Sequence, residues 1–148
     1  CSSIGIGETI HAANRGEAIT VFMFNNSVYG MTGAQMAPTT LVGQKTTTCI
    51  YGRDPVTMGY PIRMAELIAT LEAPRFVARC AVHRPKYVND FKKAVRTAFE
   101  IQMNEGGYSF IEVLTGCPTG VHVPVTDLPQ FIDEKMLPVF PLGIKKQV

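Results

Sequence analysis

Short apolar runs alternate with segments of helical period along most of this chain. Cys1 to Arg15 reads as a helix, with Ile4, Ile10 and Ala13 among its apolar positions, Ser2 and Ser3 as N-cap candidates and Gly16 as its stop. Ile19 to Phe24 is an almost unbroken apolar run, the pattern of a strand buried on both faces of a parallel sheet. It halts at Asn25-Asn26-Ser27. From there to about Pro61 the chain is rich in Gly, Thr, Gln and Pro and shows little periodicity, and a loop of that length inside a domain is usually functional. Ile62 to Leu71 is again helical, Phe76 to Val82 a strand, and Pro85 to about Met103 a helix. That helix presents Val88, Phe91, Val95, Ala98 and Phe99 to the core and Lys92, Lys93 and Arg96 to water, and Gly106-Gly107 ends it. Ser109 to Leu114 is the last strand. A short helix from Pro129 to Met136 then precedes a Pro- and Gly-containing tail in which Lys145-Lys146 reads as solvated.

This alternation predicts an α/β fold: a mainly parallel sheet with helices on both faces. Parallel strands joined by right-handed crossovers place their C-termini on one edge, and ligands of such folds sit outside that edge. Asn25-Asn26-Ser27, His83-Arg84-Pro85 and Gly116-Cys117-Pro118 all fall there.

Composition narrows the function classes. The 148 residues suffice for one domain with a real core. Only 18% are charged, against about 25% in an average soluble domain, so the surface is lean in charge and suited to being covered by a partner. A net charge of +2 from scattered Lys and Arg argues against nucleic-acid binding. No apolar run approaches the roughly 18–20 residues of a membrane span, so no membrane association is expected. The chain opens on no secretory pattern, and a cytoplasmic protein with reduced thiols is expected. Cys1, Cys49, Cys80 and Cys117 form no CxxC pair, hence no zinc site or disulfide framework by spacing. Cys80 lies in an apolar strand and reads as a buried structural thiol. Cys117 lies in the turn Thr115-Gly116-Cys117-Pro118-Thr119-Gly120.

The predicted edge offers limited chemistry of its own. An Asn at a strand end ordinarily makes a turn by bonding nearby backbone. Alternatively, the Asn26 side-chain oxygen is a hard ligand for Mg²⁺, with a backbone carbonyl two residues on as a second. The stretch Val28 to Thr40 mixes glycines, hydroxyls and an amide, with no carboxylate before Asp54. It therefore offers no acid–base pair and no Walker loop. A cofactor cradle and an ordinary surface loop both fit it.

Three runs carry a resemblance: Ser3-Ile4-Gly5-Ile6-Gly7-Glu8-Thr9-Ile10-His11-Ala12-Ala13-Asn14-Arg15-Gly16, the Asn25-Asn26 pair, and Val28-Tyr29-Gly30-Met31-Thr32-Gly33-Ala34-Gln35-Met36-Ala37-Pro38-Thr39-Thr40. With Gly43-Gln44-Lys45-Thr46-Thr47-Thr48, Tyr51-Gly52-Arg53-Asp54, Phe110 to Thr119 and Pro138 to Gly143, the chain resembles the β subunit of 2-oxoacid:ferredoxin oxidoreductases of the 2-oxoglutarate or branched-chain type. The resemblance spans essentially the whole chain. It implies a thiamine diphosphate-binding fold truncated at the N-terminus, with residues 1–148 as the C-terminal part of a single diphosphate-type domain. The Gly-Asp-Gly triplet of the family, whose aspartate is a further metal ligand, would lie just upstream of Cys1.

By the same resemblance Asn26, through its side chain, and Val28, through its carbonyl, are Mg²⁺ ligands. Tyr29, Gly30, Thr32 and Gly33 line the diphosphate and thiazolium end, and Cys117 matches the fourth ligand of a [4Fe–4S] cluster. Ala34 stands where many relatives have Gly. Gly33 stands where some archaeal relatives have a substrate-contacting Lys, so substrate choice does not transfer. The implied activity is oxidative decarboxylation of a 2-oxoacid, with coenzyme A taking the acyl group and ferredoxin the electrons. An α subunit is the implied partner and the source of the activating glutamate, so no residue of this chain is assigned as a general acid or base. This chain alone is expected to be inactive, with its Mg²⁺ and cluster sites incomplete. A different thiamine enzyme of the decarboxylase or synthase kind, and a non-catalytic assembly module of the same fold, are the alternatives.

Overall fold

A computed structural model describes all 148 residues, Cys1–Val148. In chain order the elements are helix α1 (Ile6–Arg15), strand β1 (Thr20–Asn25), strands β2 (Val28–Tyr29) and β3 (Gln35–Met36), and helices α2 (Pro55–Met58) and α3 (Met64–Ala69). Strand β4 (Phe76–Ala81), helix α4 (Pro85–Glu105), strand β5 (Ser109–Leu114) and helix α5 (Pro118–Val121) follow. A 3₁₀ turn (Val125–Asp127), helix α6 (Leu128–Phe131) and a π turn (Ile132–Met136) run into one another before strand β6 (Gly143–Gln147).

The main sheet has the order β1-β5-β4-β6. β1, β5 and β4 are parallel in flush register, Asn25 and Ala81 both lying opposite Leu114. The expected mainly parallel sheet is therefore present, with its strand ends on one edge. Its two faces are covered as alternation requires. On one, Ala13 of α1 and Met64, Ala65 and Ile68 of α3 pack with Met23, Val77 and Phe110. On the other, Ala94, Ala98 and Ile101 of α4 pack with Phe76, Ala78, Cys80, Ile111 and Val113. A third apolar group, including Leu41, Ile132, Met136 and Phe140, closes over Ala81 and Leu114 at the strand ends.

Several expectations need correction. β1 is an edge strand paired only to β5, so Phe24 stands 64% exposed rather than buried on both faces. α1 begins at Ile6, and its N-cap is Gly5 in the left-handed region (φ 80°), not Ser2 or Ser3. Phe99 of α4 is 44% exposed, tilted against Phe22 near the open edge, and the core positions are Ala94, Ala98 and Ile101. The tail is not solvated chain. It is β6, antiparallel to β4, and Lys146 donates to the carbonyls of Leu71 and Glu72.

The stretch from Val28 to Pro61 has order that periodicity could not reveal. β2 and β3 form a two-residue antiparallel pair, Val28 opposite Met36 and Tyr29 opposite Gln35. Farther on, Gly43 donates to the Arg53 carbonyl (2.9 Å) and Arg53 to the Gln44 carbonyl (3.1 Å). The Arg53 side chain, 5% exposed, holds the rest: its guanidinium donates to the carbonyls of Pro38, Thr40, Met58, Gly59 and Tyr60 at 2.7–3.1 Å. Five N–H donors meet five carbonyl acceptors, which is the full capacity of the group.

Candidate functional site

The turn after β1 is built from polar side chains that find partners inside the protein. Asn25 is buried, and its Oδ1 accepts from the Ser27 amide (3.0 Å) while its Nδ2 donates to Glu112 Oε1 (2.7 Å). Ser27 takes φ 62°, a left-handed conformation that an Asx turn supports. Its carbonyl accepts from Thr40 Oγ1 (2.6 Å) and its hydroxyl from Gln44 Nε2 (3.0 Å). β5 and the long loop thus fix this turn from both sides.

Glu112 is fully buried on the central strand, where a lone carboxylate would be costly. Its Oε2 accepts from Arg79 Nε (2.9 Å) and from the Ala65 amide (3.2 Å). Arg79, directly opposite on β4, is also bound by Glu66 and donates to the Pro141 carbonyl (3.1 Å). Burial works against the Arg79 charge, but the bonds to Glu66 and Glu112 outweigh it and hold the guanidinium more firmly protonated than usual. Burial likewise opposes the Glu66 charge, and Arg79 overrides it, leaving that carboxyl below its ordinary range.

Asn26 points the other way. Its Oδ1 accepts only from the Val28 amide, at 3.3 Å, which leaves acceptor capacity on a hard oxygen. A Cβ built on Gly30 would lie 3.3 Å from Asn26 Nδ2 and 3.2 Å from Cys117 Sγ. A Cβ on Gly120 would lie 3.2 Å from the same sulfur and 2.7 Å from Val28 Cγ2. Asn26, Val28, Gly30 and Cys117 are therefore brought together, and two glycines keep the space between them clear. Tyr29 is 38% exposed beside them. Thr32 is turned to a local use, its hydroxyl donating to Gln35 Oε1 (2.7 Å). Gly33 takes φ 113°, and Ala34 follows at φ 62°, a strained position for any residue with a Cβ.

A second polar group lies at the end of β4. His83 Nε2 and Arg84 Nε lie 2.8 Å from the two oxygens of Asp133 on the π turn. This is a structural latch between the β4–α4 turn and the C-terminal helices. Burial raises the Asp133 carboxyl, but the bonds from His83 and Arg84 prevail and hold it below its usual range.

These positions suit a phosphate-bearing cofactor with a hard cation: Asn26 Oδ1 and the Val28 carbonyl are oxygen donors of the right kind, and Gly30 leaves the room. A cluster is different. Nowhere do three His, Cys, Asp or Glu side chains converge as a metal site, and Cys49 and Cys80 are buried, so Cys117 can serve only as one thiolate of several. Sequence reasoning missed Glu112, Arg79 and Arg53. A charged residue alternating within an apolar strand was the available signal for the first two.

Residues 1–113 match the family model described as thiamine pyrophosphate enzyme, C-terminal TPP binding domain. Over 141 residues the chain is 50% identical to ketoisovalerate oxidoreductase subunit VorA of Methanothermobacter marburgensis, covering 95% of this chain and 30% of that protein. It is 38% identical over 132 residues to 2-oxoglutarate synthase subunit KorB of Archaeoglobus fulgidus, covering 89% of this chain and 45% of that one. Among solved structures, it aligns over 99% of its length with 53% of a chain of 2-oxoglutarate:ferredoxin oxidoreductase from Magnetococcus marinus, determined with 2-oxoglutarate, coenzyme A and succinyl-CoA bound. The TM-score is 0.72 at 22% identity, a likeness of fold. The chain thus spans between 30% and 53% of the length of these proteins.

Proposed function

The chain belongs to the thiamine pyrophosphate enzymes, through their C-terminal TPP-binding domain, and from that membership we propose that it is the cofactor-binding part of a 2-oxoacid:ferredoxin oxidoreductase β subunit. Residues 1–148 are read as the C-terminal part of one diphosphate-type domain. The complete enzyme would convert a 2-oxoacid, coenzyme A and two oxidised ferredoxins to an acyl-CoA, carbon dioxide, a proton and two reduced ferredoxins. The higher identity to a ketoisovalerate enzyme subunit than to a 2-oxoglutarate one favours a branched-chain substrate. Further subunits and a cytoplasmic setting belong to the same reading, and no helix here is long and apolar enough to cross a membrane.

The observation that carries the proposal is the meeting of Asn26, Val28 and Cys117 around Gly30. When bound, thiamine diphosphate supplies a thiazolium ring that stabilises the carbanion left by decarboxylation. This chain's residues hold and orient. Asn26 Oδ1 and the Val28 carbonyl would bind Mg²⁺ on the diphosphate, and Tyr29, Gly30, Thr32 and Gly33 would border it. Glu112 keeps the turn in place through Asn25. Cys117 would give one thiolate to a [4Fe–4S] cluster, three further thiolates coming from outside this chain. The reading assigns no residue of this chain as a general base.

The test is an anaerobic assay of the complete enzyme with ketoisovalerate or 2-oxoglutarate, coenzyme A and ferredoxin. Acyl-CoA formation with ferredoxin reduction is expected, with Asn26→Ala lowering Mg²⁺–thiamine diphosphate affinity and Cys117→Ser removing cluster absorbance. Release of free aldehyde with no electron transfer would point instead to a non-oxidative decarboxylase. Absence of cofactor binding by the complete enzyme would leave only an assembly module.

A further inference from the structure

Three groups from separate parts of the chain converge on the point where Gly120 lacks a side chain. An ideal β-carbon there would lie 2.7 Å from Val28 Cγ2, 3.2 Å from Cys117 Sγ and 3.5 Å from Ala34 Cβ. Gly120, Val28 and Ala34 are buried, and Cys117 is half-buried. The sulfur therefore lies in a slot. Gly30 forms one wall, since a β-carbon on it would also come within 3.2 Å of Sγ. Gly120 forms the other, backed by the apolar carbons of Val28 and Ala34.

The Ala34 methyl is held there against the preference of its backbone. Ala34 takes φ 62°, in the left-handed region where a β-carbon crowds the following carbonyl and glycine is favoured. Two backbone bonds lock it in place. Its amide donates to the Tyr29 carbonyl (2.9 Å), and its carbonyl accepts from the Thr47 amide (3.1 Å). Glycine would keep both bonds without the crowding, so neither the turn nor its hydrogen bonds require the methyl. What the methyl reaches is Gly120 of α5, the helix that Cys117 caps at its N-terminus. On the other side of the same turn, a β-carbon on Gly116 would lie 2.5 Å from Leu128 Cδ1. The segment that carries Cys117 is thus gripped between Leu128 and the Val28–Ala34 pair.

We propose that Ala34 is a positioning residue for Cys117. Its methyl closes the slot behind Gly120, seats α5 against β2 and keeps water from one side of the sulfur. The consequence for electron transfer rests on the cluster reading given above, because the potential of a cluster responds to solvent exposure around its thiolates. The slot itself does not depend on that reading.

Ala34→Gly removes the methyl and nothing else. The experiment alkylates the wild-type and variant chains with iodoacetamide at pH 8 and follows each thiol by mass spectrometry of tryptic peptides, with the exposed Cys1 as internal reference. In Ala34→Gly, Cys117 should react at least about threefold faster as access to its sulfur opens. The Cys1 rate should not change, and the melting temperature should be no lower than wild type, because glycine is the easier residue at this φ. Ala34→Ser keeps the β-carbon and should return the wild-type Cys117 rate. In the complete enzyme, Ala34→Gly should lose cluster absorbance to a ferrous chelator faster than wild type. The proposal is overturned if Cys117 keeps its wild-type rate in Ala34→Gly, if Cys1 accelerates alongside it, or if Ala34→Ser behaves as the glycine variant does. A wild-type enzyme without cluster absorbance would overturn the cluster reading instead, and the alkylation rates would still decide the slot.

Discussion

Asn25 Nδ2 donates to Glu112 Oε1 at 2.7 Å, inside the protein and between neighbouring parallel strands. Through this bond the central strand sets the turn that presents Asn26. Removing the carboxylate leaves Arg79 with only Glu66 and the Pro141 carbonyl and releases Asn25. Glu112→Ala should cost about 3–5 kcal/mol, the usual penalty for breaking a buried ion pair. Glu112→Gln keeps an acceptor for one partner and should cost less. Urea titration measures both, and a loss under about 1 kcal/mol for Glu112→Ala would sink the assigned role. In the enzyme proposed above, Asn25→Ala should weaken Mg²⁺–thiamine diphosphate binding, read by calorimetry beside the urea titration.

Arg53 carries its charge with carbonyl oxygens as its bonding partners. Burial lowers its pKa, with a smaller opposing influence from Cys49, and the five carbonyl dipoles stand in for a counter-ion. Arg53→Lys has three donors and no planar fork, so at least two carbonyls lose their partner. The expected loss is about 2–4 kcal/mol, since each unsatisfied buried group costs roughly 1–3 kcal/mol. Hydrogen exchange should localise it to residues 38–60. Exchange accelerating evenly through the sheet would contradict that.

Thiol reactivity should separate the four cysteines. Burial pushes the Cys80 thiol up to about 11, with Asp90 adding to it, and Cys49 is 4% exposed against Met58. Iodoacetamide at pH 8 should therefore modify Cys1 and Cys117 in the folded chain and reach the other two only in denaturant. Mass spectrometry of tryptic peptides reads this directly.

The Asp133 latch predicts a pH dependence with a definite sign. Its carboxyl is held below the ordinary value of about 3.9, so the contribution is complete above that pH and is lost as pH falls through the folded-state value. Asp133→Asn should be less stable than wild type at pH 7, and the gap should close in acid. A gap that persists unchanged at pH 2 would mean that packing, not charge, is what the substitution removes.

The sheet and its helices were legible because Ile19–Phe24, Phe76–Val82 and Ser109–Leu114 are apolar runs separated by helical periods. β6 was not, because Lys145-Lys146-Gln147 reads as solvated until its partner β4 is known. Asn26 and Cys117 could be placed at one edge by topology, yet their meeting at Gly30 depends on loop conformations that no period encodes. Glu112, Arg79 and Arg53 were overlooked for a common reason. A buried charge is intelligible only with its partners, and these lie 33 residues apart in one case and up to 15 in the other.

The open side of β1 has a consequence for handling the chain. From Ala18 to Val28 there is no charged residue, and the run Thr20–Phe24 offers unpaired backbone donors and acceptors along a bare edge with Phe24 projecting. Such an edge is a template for further strands, and neither a proline nor a lysine interrupts it. A polypeptide pairing alongside β1 would thus act as a solubility device as well as a structural one. Expressed without that cover, the chain should form intermolecular β-structure at a rate that rises steeply with concentration.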